Sequence, residues 1–135
     1  MPTNTAGTNA REYQTHQVHY HAVDITFADD GLVIPLGYIP AGAMVLRGGV
    51  VVTTAFNAGS TNVLDIGTVA DDDGFATDLA LGTVGVIVAD EMATTNDAYV
   101  TVDTLINCTV DLTGTAATTG AGRVWIEYIL APTSP

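Results

Sequence analysis

AYVTVDTLINCTVDLTG, residues 98–114, alternates residue by residue. Val100, Val102, Thr104, Ile106, Cys108, Val110 and Leu112 share one parity. The other parity carries Thr101, Asp103, Asn107, Thr109 and Asp111, with Leu105 as the exception. Side chains along a strand point to opposite faces in turn, whereas helical residues return to one face every three to four positions. The stretch therefore reads as one strand, or two around a bend, with one face buried and one wet.

The same pattern extends through the chain on either side. RVWIEYIL, 123–130, sets Val124, Ile126, Tyr128 and Leu130 against Arg123, Trp125, Glu127 and Ile129. Both faces carry large apolar groups, so this strand is expected to be covered on both sides. A subunit contact accounts for Trp125, since tryptophan is enriched at interfaces; packing beneath a loop of its own chain accounts for it equally well. AMVLRGGVVVTTAF, 43–56, is apolar almost throughout and reads as a central strand. Gly48 and Gly49 in its middle predict a bulge or a close backbone approach. LVIPLGYIPAG, 32–42, has Pro35 and Pro40 at a spacing that suits an edge strand and a tight corner. TNVLDIGTV (61–69) and TVGVIVAD (83–90) supply further strands, and ADEMATTNDAYV (89–100) has room for one short turn of helix.

Some seven or eight short strands broken by Gly, Asn and Asp turns predict an all-β fold: a single-domain antiparallel β-sandwich, jelly-roll-like. The expected organisation is a flexible N-terminal arm over 1–14, the sandwich over 15–131 and a disordered end at 132–135. A chain of 135 residues is long enough for one such core.

Charge narrows the function. Fifteen acidic residues face three arginines and no lysine, a formal charge of −12. Phosphate backbones and anionic lipid are repelled by such a chain, which predicts no nucleic-acid and no membrane partner. Charged residues are only 13% of the total, about half the usual share, so the surface either relies on Ser, Thr and Asn for solubility or is partly covered by other chains. The opening MPTNTAGTNAREYQ lacks an apolar run and does not read as a signal peptide. Cys108 is the lone cysteine and sits on the apolar parity, so a buried, unreactive thiol is expected.

Two clusters invite a metal. HQVHYHAVD, 16–24, places His19 and His21 on one face of a strand, about 7 Å apart. A cupin-type site needs a following Glu and a later histidine; no histidine follows His21, so the set closes only if several chains bring imidazoles to an axis. A polar strand face is the plainer reading. The second cluster is Asp71, Asp72 and Asp73, followed by Gly74. An EF-hand counted back from Gly74 begins at Val69 and ends at Ala80, neither of which has a side-chain oxygen, so that motif fails. Asp65, Asp71, Asp73 and Asp78 could still converge on Ca2+ in another geometry, but Asp and Gly are also ordinary turn chemistry. TTGAGR, 118–123, has a GxG without a lysine or following helix and reads as a turn. No cofactor and no catalytic residue is assigned, and the expectation is a non-enzyme.

IPAGAMVLRGGVVVTTAFNAGSTNVLDIGT (39–68) and TTGAGRVWIEYI (118–129) together resemble small virion proteins of tailed bacteriophages. The shared features are an IP-AG corner, a valine-rich strand, TAFN-GST, a strand ending D-IG, and glycine turns before a final V-Y strand. The resemblance implies a capsid cement or decoration protein, or a head-fibre component. It would be assembled in the host cytoplasm, would act as an oligomer, commonly a trimer, and would bind the major capsid protein on the capsid exterior. Arg47, Arg123, Trp125 and Ile129 are the interface candidates. The alternative is a fibre or surface module that recognises a host glycan or receptor, with Trp125, Tyr99 and Tyr128 as its aromatic contributors. A small metal-dependent enzyme is a third class, which the missing third histidine disfavours.

Overall fold

The computed structural model describes residues 18–89 and 99–130. The expected arm (1–14), His16, the C-terminal end (132–135) and most of the segment given a short helical turn lie outside the described residues. Within them are eight strands: β1 (His19–Thr26), β2 (Val33–Ile39), β3 (Ala43–Thr54), β4 (Thr61–Gly67), β5 (Ala76–Ala80), β6 (Gly85–Val88), β7 (Thr104–Thr113) and β8 (Ala121–Leu130). The only helical element among the described residues is a 3₁₀ turn, Phe27–Asp29. It is fixed by a reciprocal cap: the Thr26 amide donates to Asp29 Oδ2 at 2.8 Å, and the Ala28 amide donates to Thr26 Oγ1 at 3.3 Å.

The strands form two four-stranded sheets, ordered β1-β8-β3-β6 and β2-β7-β4-β5. Every strand pair is antiparallel, and the pairs β1·β8, β2·β7, β3·β6 and β4·β5 are nested inside one another. A four-stranded ribbon folded back on itself and rolled up gives this nesting, so the sandwich is jelly-roll-like, as expected. Its core is the inward parity of both sheets: Ile25, Val50, Val52, Val124 and Ile126 from the first, and Leu64, Ile66, Ile106, Cys108 and Val110 from the second, closed by Phe75.

Local chemistry sets the details. Pro35 lies on β2, an edge strand, where its missing donor breaks no inner ladder bond. The corner after β2 is a tight turn. The Ala43 amide donates to the Pro40 carbonyl at 3.0 Å, and Gly42 takes φ 87°, the left-handed third position of a type II turn. At Gly49 the expected close approach is found: a Cβ there would lie 2.1 Å from the carbonyl oxygen of Ile87 on β6. The bulges of β3 fall elsewhere, between Val45 and Arg47 and between Val52 and Thr54.

Two expectations need correction. The alternation in 98–114 breaks at Val102, which is 66% exposed in the bend before β7. The supposedly wet face of β7 is also covered at Asn107. Asn107 pairs with Gly67 of β4, and the chain after Gly67 folds back so closely that a Cβ on that glycine would lie 2.2 Å from the Asp71 carbonyl oxygen. The β4–β5 loop thus caps part of the second sheet's outer face.

Candidate interaction surface

The outer face of the first sheet is built from three registered rows. Asp24 (β1), Arg123 (β8), Val51 (β3) and Val86 (β6) form one; Ala22, Trp125, Gly49 and Val88 form the next; Tyr20, Glu127 and Arg47 form the third. Ile129 continues β8 beside Met44, which bridges to Tyr99. Trp125 is half-buried, and no second layer of the described chain lies over it. Tyr20 (72%), Val86 (65%) and Val88 (53%) are open to solvent. One end of the face holds an open groove of about 530 Å³, lined by Thr26, Val51, Thr53, Ala121 and the Asp24–Arg123 pair.

All four interface candidates therefore sit on one surface. The two arginines are already paired within the chain. Arg47 Nε donates to Glu127 Oε2 at 2.8 Å, and Arg123 donates to both Asp24 oxygens, from Nε at 2.7 Å and Nη2 at 3.3 Å. The Arg123 hydrogen bond and charge hold the Asp24 carboxyl below the usual aspartate value, and Asp24 in turn raises Arg123. These are solvent-exposed pairs and add little stability. Their consequence is electrostatic: Asp24 and Glu127, the acids on the first sheet's strands, are each matched by an arginine.

The other described carboxylates lie elsewhere. Asp29 and Asp30 follow β1, Asp103 precedes β7, Asp65, Asp78 and Asp111 belong to the second sheet, and Asp71–Asp73 sit in the β4–β5 loop. The described residues thus divide into a neutral, largely apolar face and an acidic remainder. Sequence reading picked out the four residues but not this division, which needs β1, β3 and β8 laid side by side in register; the one hint available was how few cations there were to place.

His19 and His21 do not sit on an outer face. His19 and His21 take the inward parity of β1, where both rings stack on Tyr128, with centroids 5.5 Å and 5.3 Å away. His21 Nε2 donates to the Tyr38 carbonyl at 2.8 Å, so that nitrogen is committed to a backbone bond. The stack also takes Tyr128 to the inner side of the sheet, away from Trp125 and Tyr99, so the three aromatics considered for a sugar site do not converge.

Among the described residues, Asp71, Asp72 and Asp73 bring three potential ligand oxygens within 4.8 Å of one another, all exposed. Their loop closes as a turn: the Thr68 and Gly74 amides both donate to the Asp71 carbonyl, at 2.8 Å and 3.2 Å, and the Asp71 amide donates to Thr68 Oγ1 at 3.2 Å. Asp65 and Asp78 do not join them. Asp65 Oδ1 instead accepts the Asp78 amide at 2.8 Å. Cys108 is fully buried, and burial, followed by the charge of Asp29, pushes its thiol up to about 12.

TAFN-GST and TTGAGR meet in space. Asn57 Oδ1 accepts the Thr118 and Thr119 amides at 2.8 Å and 3.0 Å, and Thr119 Oγ1 donates to the Ala55 carbonyl at 3.0 Å. The Gly59 and Ser60 amides donate to Thr115 and Thr113. The glycine-rich segment is therefore one half of a clamp between the β3–β4 and β7–β8 connections.

No protein-family model matches the chain, and no curated protein matches it. Among solved structures, it is similar to a chain of the cyanophage Pam1 capsid asymmetric unit, at 20% identity and a TM-score of 0.59, covering 98% of each chain. It is also similar to a chain of an acid-stable capsid structure of the Helicobacter pylori bacteriophage KHP30, at 18% identity and a TM-score of 0.59, covering 87% of this chain and 90% of that one. At these identities the likeness establishes the shared fold.

Proposed function

We propose that this protein is a structural component of a tailed-phage capsid, a cement or decoration protein that binds the major capsid protein as an oligomer, with a trimer expected. The observation that carries this reading is the two-way match to the Pam1 capsid chain, 98% of each, so the resemblance is of whole chain to whole chain. The surface supports the reading as well. A neutral apolar face suits contact with other protein, and the acidic remainder repels nucleic acid. A position on the capsid exterior, with assembly in the host cytoplasm, follows from the same reading. The protein needs no cofactor and no catalytic residue for this role.

The test is attachment. Capsids assembled from the major shell protein of the phage that carries this gene, and lacking this chain, are mixed with the purified protein and sedimented. Saturable co-sedimentation at a fixed ratio to capsomers is expected. Protein that stays in the supernatant at about 10 μM, well above working affinities for specific contacts, rules the role out.

A further inference from the structure

We infer that the outer face of the first sheet is where a second copy of this chain packs. The inference goes beyond the capsid reading and does not rest on it.

Charge selects the partner. Each copy carries −12 in all, so two copies can approach closely only where surplus carboxylates are absent from both. On the first sheet Arg47 answers Glu127 and Arg123 answers Asp24, and no unmatched acid lies on any of its four strands. The outer face of the second sheet carries Asp65, Asp78 and Asp111, with Asp71–Asp73 beside it. Like faces therefore meet, either across a two-fold axis or turned toward a common axis.

The surface is also suited to burial. Tyr20, Trp125, Val51, Val86 and Val88 give it large apolar groups in adjacent rows, more than scattered exposure accounts for. Four strands at about 4.8 Å spacing and roughly seven residues in length span about 450 Å² in projection. Two such faces give about 900 Å² in projection, just under the roughly 1,000 Å² of buried surface from which specific interfaces begin. At its margin β6 is a short edge strand, and GVIV has neither a charge nor a proline to guard it. Natural edges are usually blunted by one or the other, so cover by a second copy explains the bare edge.

Sedimentation velocity over about 1–100 μM tests this on three variants. V86E/V88E and Y20E place carboxylates at exposed positions of the face, where a monomer tolerates them, and A80E places one on the second sheet's exposed edge strand. Circular dichroism melts confirm that each variant folds. The wild type should associate, with its dissociation constant raised about 100-fold by V86E/V88E and by a lesser factor in Y20E, because each new charge must be buried unpaired. A80E should change it by less than about threefold. A wild-type monomer across the range overturns the inference, as does association that survives V86E/V88E or is lost equally in A80E. A monomer that still decorates capsids overturns it while leaving the capsid role standing. An oligomer broken by V86E/V88E that never binds capsids upholds it and removes that role.

Discussion

Cys108 is held between Ile34 of β2 and Ile66 of β4, its registered neighbours, and is fully buried. With its thiol pushed up to about 12, the reactive thiolate is scarce even at pH 8. Relative to an ordinary cysteine near 8.5, its fraction there falls by roughly 1,000-fold. Native protein at pH 8 should therefore resist a disulfide-exchange reagent for hours and react stoichiometrically once guanidinium unfolds it. Prompt labelling of the folded chain would show that the second sheet opens at β7. This residue's fate was legible because its parity is unambiguous: Ile106, Cys108 and Val110 alternate against polar neighbours. His19 and His21 were harder to read. On HYHAVDIT each parity carries a mixture of ring, aliphatic and polar groups. The rings turn inward because Tyr128 and the Tyr38 carbonyl meet them there, and those partners come from β8 and β2.

At the level of elements, the β4–β5 hairpin carries a cost that can be measured. Ile66 pairs with Ala76 and Leu64 with Leu79, so Asp65 faces two residues, Thr77 and Asp78, and Asp78 takes the left-handed φ of 53°. Desolvation pushes the Asp65 carboxyl above its ordinary 3.8. The Asp78 amide partly offsets this, while the charges of Asp78, Asp73 and Asp72 add to it. Between 3.8 and the raised folded value the folded chain binds more proton than the unfolded one. Stability therefore falls as pH rises through that window, and the penalty persists at neutral pH. Asp65→Asn keeps an oxygen for the Asp78 amide and removes the charge. It should raise Tm at pH 7 by about 2 °C, with the gain fading to nothing in melts below pH 3.8, where both states of the wild type are protonated. A gain that is equal at every pH would mean that packing, and not ionisation, is responsible. Strands such as β3, β7 and β8 were readable because the period of two survives in their inward residues, whereas bulges depend on the partner strand. The glycines of β3 marked the approach of β6 correctly, yet the extra residues fell at Leu46 and Thr53. Cover over Asn107 was invisible for the same reason, since the loop that provides it returns from β4.

For the molecule as a whole, composition announced the acidity but only the folded registry shows which of the described strands carry no unmatched acid. If copies meet through neutral faces, their contact contains no attraction for salt to screen, while the rest of each body repels the other. Two bodies of −12 with centres about 35 Å apart repel by about 17 kcal/mol in water without ions. The Debye length shrinks from about 30 Å at 0.01 M salt to about 8 Å at 0.15 M, which removes most of that repulsion. Association should therefore tighten with salt, by about tenfold or more between 20 mM and 200 mM sodium chloride, as read by sedimentation equilibrium. Interfaces held by opposite charges behave the other way, because screening removes their attraction. Loosening with salt would mean that Arg47 and Arg123 leave Glu127 and Asp24 to reach a neighbour's carboxylates, so that acidic surface takes part in the contact.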